Sequence, residues 1–165
     1  MARKAFYSFH YDLDNWRVSQ VRNMGVVDGN RPVTDNDWEA VKKGGDAAIQ
    51  KWIDGQLYGK SVVIVLIGAK TAGRKWIKYE IKKAWGEGKG VLGVLGVYIH
   101  NLKDQKENTT AKGKNPFDSI KVNGLPMSNF VNVYDPSPWF SSTYNYIKNN
   151  MADWIESAIE IRRQH

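Results

Sequence analysis

The run VVIVLI, Val62–Ile67, is the feature that most limits what this chain can fold into. Six aliphatic residues in succession, five of them β-branched, leave no face for water. The run therefore reads as a strand covered on both sides, the signature of a parallel sheet with helices on each face. VLGVLGVYIH, residues 91–100, is a second buried strand, KAFYSF over 4–9 a short first one, and NFVNVYD over 129–135 a last one. Between them lie helical patterns: 13–24 carries Trp16, Val18, Val21 and Met24, and the segment from Asp46 places Ile49, Trp52, Ile53 and Leu57 on one face. A further helix follows Gly73 and runs to the glycine-rich stop GEGKG, and a last one spans 144–163. TDNDWEAVKK, 34–43, offers capping residues before a short helix, while 25–36 is rich in turn formers and 101–127 reads as a polar surface excursion. Strands alternating with helices imply an α/β, doubly wound parallel sheet, with 62–67 central and 4–9 and 91–99 beside it.

At 165 residues the chain fits one domain, 1–165, with a sizeable core. It has no cysteine, which excludes disulfides, thiolate metal sites and a cysteine nucleophile, and points to the cytoplasm. MARKAFYSF lacks a signal-peptide core, and no apolar run approaches the length of a membrane span. The net charge of +7 favours encounters with anions. The lysines are dispersed and not interleaved with aromatics, so they read as a solvated surface and not a nucleic-acid footprint.

Ligands of such sheets gather beyond the carboxyl ends of the strands, here 9–14, 68–74, His100 onward and 134–135. Gly68 and Gly73 have the spacing of a phosphate-binding loop, but Arg74-Lys75 displaces the lysine and the metal-binding hydroxyl is missing. GEGKG precedes its strand and is a helix stop. There is no hydroxyl-rich flavin loop after the first strand and no receiver aspartate in VLIGA. Asp12 and Asp14 read as turn and capping residues. His10, His100 and His165 are scattered, so no metal site is expected.

Glu80 stands apart. On the helix after Gly73, it falls in the same arc as Ile77, Ile81, Ala84 and Trp85, away from most of the lysines. A carboxylate at the border of a buried face needs a partner. Either it pairs with a neighbouring lysine or gains from its place near the helix N-terminus, or it is held in a cleft above the sheet beside an aromatic wall from Trp76.

KAFYSFHY, GAKTAGRKWIKYE, NPFD and VYD together resemble the prokaryotic TIR-like domain proteins, and the resemblance points to the TIR component of Thoeris anti-phage systems. It implies a flavodoxin-like sheet and an enzyme acting on NAD⁺ as substrate, with no permanently bound cofactor. Such a protein senses infection through a phage-derived trigger and makes an ADP-ribose-derived, in some cases cyclic, messenger that activates a separate effector. Self-assembly is expected to complete the site. The family's catalytic glutamate carries over to Glu80, its aromatic companion to Trp76, and the first-strand end to Phe9, His10 and Tyr11. In this reading Trp76 and Phe9 wall the rings, and Arg74, or Arg22 from the first helix, meets the pyrophosphate. The competing reading is a non-enzymatic TIR-like interaction module.

Overall fold

Val62–Ile67 has no solvent-accessible surface at any of its six residues and forms β2, a central strand of the sheet. The computed structural model describes residues 3–27, 41–86, 92–136 and 142–165. β1 (Ala5–Ser8) and β3 (Gly93–Tyr98) lie parallel on either side of β2, with Ala5 opposite Val62 and Val62 opposite Gly93. A short strand, Val133–Tyr134, extends the sheet beyond β3, again parallel. It is β6, because a small antiparallel hairpin of β4 (Lys121–Val122) and β5 (Leu125–Pro126) precedes it. The order β1-β2-β3-β6 makes this the flavodoxin-like α/β arrangement.

Side chains alternate across each strand, and the two sets enter separate cores. Val62, Ile64 and Leu66 join Leu95 and Val97 beneath α1 (Tyr11–Arg22) and α4 (Thr143–Gln164), which contribute Val18, Val21, Ile147 and Met151. Val63, Val65 and Ile67 face the other way with Phe6 and Val94. Above them lie α2 (Gly45–Leu57), with Ile49 and Ile53, and α3 (Lys75–Trp85), with Ile77 and Ile81. Each fully buried aliphatic side chain contributes about 1.5–3 kcal/mol, so β2 anchors both layers. The alternation also decides the site. Ser8, two residues after Phe6, is directed to the α2/α3 face.

Helix ends follow their local chemistry. Ser142 caps α4 by accepting the Asn145 N–H at 3.0 Å, and Gly86 stops α3 at a φ of 63°, where a side chain is disfavoured. Most of the expected helix over 34–43, part of the 25–36 loop and most of GEGKG fall outside the described residues; the described end of that helix, 41–43, is helical.

The 101–127 segment differs from the expected surface excursion. Phe117, Ile120 and Met127 are buried in the α2/α3-side core, reached through a short 3₁₀ turn, Pro116–Ser119, and the hairpin. Three apolar residues spread through a polar stretch carry no period, so the cap they form is invisible to pattern reading. Of NFVNVYD only Val133 and Tyr134 pair, and the first helix begins at Tyr11, two residues earlier than expected.

Candidate active site

β1 ends at Ser8, and α3 crosses that end of the sheet with its first turns. Ser8 is 1% exposed, and its hydroxyl donates to Oε2 of Glu80, itself 8% exposed. Trp76 lies one turn before Glu80 on the same helix, and this i, i+4 relation puts the half-buried indole beside the carboxyl. Tyr79 stacks edge-on against Trp76 at 5.7 Å between ring centroids, and its hydroxyl donates to Asp54 Oδ1 at 2.9 Å, tying α3 to α2. Lys75 sits over the Trp76 ring and pairs with Asp46 of α2.

The loop between β2 and α3 is held by hydrogen bonds of its own and by Asp14. The Gly68 N–H donates to Thr71 Oγ1 at 2.8 Å, and the Thr71 hydroxyl reaches Asp14 Oδ2 at 3.5 Å. Asp14, expected to cap a helix, instead lies buried in the first turns of α1 with its carboxyl against Gly68. The N-cap of α1 is His10, which makes no side-chain capping bond. A Cβ on Gly68 would come within 2.2 Å of that carboxylate, and one on Gly113 within 2.0 Å of the Gly68 carbonyl oxygen. Glycine is needed here for close packing.

Phe9, His10, Tyr11, Arg74, Trp76 and Glu80 line one cleft of about 440 Å³ beyond the carboxyl end of β1, within the usual size of ligand pockets. Arg22 is not among its lining residues. Its guanidinium lies over the ring of Phe9, a lining residue, at 4.9 Å. His100, at the end of β3, stands apart from this cleft and faces Asp135 at 3.9 Å. Lys42, also lining the cleft, and Ser8 beneath it were not singled out from sequence, and Ile49, a further lining residue, was read there only as part of a helix's apolar face. Only Ser8 gave a signal, as the one small polar residue within the otherwise bulky and apolar AFYSF.

The Glu80 carboxyl is pushed up to about 8 by burial, against which the Ser8 hydrogen bond works. An unfolded glutamate ionises near 4.5, so between these values the folded chain keeps a proton that the unfolded chain has released. Stability therefore falls as pH rises through this window, by at most about 1.4 kcal/mol per pH unit, and levels off above it. Asp14, raised to about 6 by burial, acts in the same direction only at lower pH. His100, held below its ordinary 6.5 by burial, acts oppositely and also at lower pH. Urea melts across about pH 7–8 isolate Glu80. The wild type is expected to lose stability over that step and Glu80→Gln to lose little; parallel losses would show that Glu80 is not the group responsible.

Among the described residues, no group of three or more His, Asp or Glu side chains is placed to hold a metal ion, and no helix is long and apolar enough to cross a membrane. A second cavity, about 460 Å³, lies at the opposite end of α3 around Trp85, Lys121 and Arg162. It shares no residue with the cleft that holds Glu80.

Residues 6–104 match the family described as Thoeris protein ThsB, TIR-like domain. The chain belongs to the ThsB TIR-like family. The matched span contains β1 from Phe6 on, all of β2 and β3, and every residue lining the Glu80 cleft. A protein of Bacillus cereus (strain MSX-D12) named “Putative cyclic ADP-D-ribose synthase ThsB1” is 40% identical over 125 residues. That alignment covers 73% of this ThsB-type chain and 64% of the relative, so the chain spans less than two thirds of the relative's length.

Proposed function

We propose that this ThsB-type chain cleaves the bond between nicotinamide and ribose in NAD⁺ and produces an ADP-ribose-derived signalling molecule in the cytoplasm. The observation that carries the reading is Glu80: a carboxyl withdrawn from water, held by one hydroxyl, in a cleft walled by Trp76 and Phe9. The name of the Bacillus cereus relative supports the substrate class and a cyclic product. A pure interaction module has no use for a buried carboxyl under an open cleft.

When the bond between ribose C1′ and the pyridinium nitrogen breaks, nicotinamide leaves neutral and needs little help from an acid. Positive charge develops on the ribose. Glu80, ionised, stabilises that charge and holds the ribose hydroxyls. Trp76 and Phe9 stack against flat rings and exclude water, which favours capture of the ribosyl carbon by an acceptor within the same molecule over hydrolysis. Arg74, exposed at the cleft mouth, meets the pyrophosphate. Within the defence system, the protein responds to a phage-derived trigger, assembles into its active form and signals to a separate effector through the released product.

Because Glu80 is raised to about 8, the free protein holds it mostly neutral at pH 7. The form that assists catalysis is the ionised one, so kcat/KM is expected to rise with pH and level off above about 8. The cationic pyridinium favours the carboxylate, so the rise in kcat is expected at lower pH than the rise in kcat/KM. A pH profile that is flat, or that falls across this range, contradicts the assignment. The reaction itself is tested by incubating the protein with NAD⁺, with and without extract of infected cells, and following nicotinamide and nucleotide products by mass. Release of nicotinamide with a product of ADP-ribose composition, or its cyclised form, is expected. Intact NAD⁺ in both arms overturns the reading.

A further inference from the structure

We propose that Ser8 is a positioning residue: its hydroxyl holds Oε2 of Glu80 and so leaves Oε1 as the oxygen that meets the ribose. The proposal rests on the NAD⁺-cleaving reading above and assigns the working atom within it.

Three features of the fold lead there. Ser8 is the last residue of β1, paired with Val65 of β2, so its backbone is fixed by the sheet. Strand alternation directs its side chain to the α3 face, where Glu80 arrives on the second turn of the helix. Both side chains are buried, and the hydroxyl of Ser8 is the hydrogen-bond donor found on the Glu80 carboxyl. One oxygen is thereby held on the sheet side. The other is the atom able to turn toward the cleft, where Trp76, Phe9 and the strand-end residues lie. A carboxyl held at one oxygen has lost most of its rotational freedom before substrate arrives, which is the form of preorganisation that electrostatic catalysis requires.

The same bond affects the charge of the group. Burial opposes ionisation of Glu80, and the Ser8 hydroxyl is what offsets part of that cost. Around the cleft, Lys42 faces it from the segment before α2, Arg74 and Lys75 from the start of α3, and His10 and Tyr11 from the start of α1. These groups set a background field that a change at Ser8 leaves in place. Loss of the hydroxyl therefore has two separable effects, a misdirected Oε1 and a carboxyl that ionises at higher pH.

The test compares wild type with Ser8→Ala, Ser8→Cys and Ser8→Thr. Alanine removes the donor, cysteine keeps the approximate shape with a weak donor, and threonine restores a hydroxyl. Nicotinamide release is measured across about pH 6–9, and isotope-labelled glutamate carboxyls are titrated by NMR, with Glu80→Gln identifying the signal of Glu80. Ser8→Ala and Ser8→Cys are expected to lower kcat roughly tenfold with KM little changed, and to move the acid limb and the Glu80 titration upward by about one pH unit. Ser8→Thr is expected to recover much of both. Melting curves identify any variant that fails to fold, and the cysteine protein then supplies the reading for alanine. A Glu80 titration that stays in place in the folded alanine or cysteine protein overturns the proposal whatever the activity does. If the wild type releases no nicotinamide, the functional reading fails by itself, and the NMR titration still decides whether Ser8 governs Glu80.

Discussion

Glu80→Gln is expected to keep the fold and much of the NAD⁺ binding while losing roughly a hundred- to thousand-fold in nicotinamide release. The amide has nearly the shape of the carboxyl and can still accept the Ser8 hydroxyl hydrogen bond through its carbonyl oxygen. It cannot carry the negative charge that opposes the developing ribosyl cation. Removing one such electrostatic contribution costs on the order of 3–4 kcal/mol in the barrier, and the loss falls on kcat. At neutral pH the change is expected to raise stability, because the unfolded wild-type chain gains by ionising Glu80 while the native carboxyl stays mostly protonated, and glutamine removes that advantage of the unfolded state. A purely structural Glu80 predicts the reverse pattern, with turnover untouched. The two accounts separate when nicotinamide release and melting curves are measured on the same preparations. Equal release by both proteins rejects the catalytic assignment.

Gly93→Val is expected to produce the largest loss of stability without touching the cleft. Gly93 opens β3 opposite Val62, and α4 lies directly upon it. A Cβ at this position would stand 2.9 Å from the Ile159 backbone nitrogen and 3.0 Å from the Ala158 carbonyl group. Both obstacles are helix backbone, which cannot rotate away as a side chain would. Valine adds two methyl groups beyond that Cβ and forces α4 off the sheet. Overpacking of this kind costs about 3 kcal/mol, or roughly 6–12 °C in melting temperature for a chain of this size. Scanning calorimetry or urea melts read this directly. A melting temperature within about 2 °C of wild type would show that α4 packs more loosely than this contact implies.

The layers of the fold were legible because they depend on contiguous apolar runs and helical spacing. VVIVLI had only one reading, and its neighbours β1 and β3 follow from the same logic of two covered faces. The burial cap around Phe117, Ile120 and Met127 was not legible, since it is built from isolated residues in a polar stretch. The position of Glu80 in the apolar arc of α3 could be read, yet a lysine partner, the helix N-terminus and a cleft were all open to it. The structure gives it Ser8, a residue from a strand 72 positions away, and such long-range meetings depend on register that a single sequence does not print. Arg22 shows the same limit from the other side. Its residue type suited a pyrophosphate, and the structure places it over the Phe9 ring and not among the residues lining the cleft.

The central claim is that Glu80 meets the nicotinamide ribose of NAD⁺ inside the cleft at the end of β1. The most direct measurement is a crystal structure of the Glu80→Gln protein, slowed in turnover, with NAD⁺ bound. The account predicts the C1′ carbon of the nicotinamide ribose in contact with residue 80, its rings against Trp76 and Phe9, and the pyrophosphate toward Arg74. NAD⁺ bound elsewhere, for instance in the cavity at Trp85 and Arg162, with the Glu80 cleft empty, would contradict it.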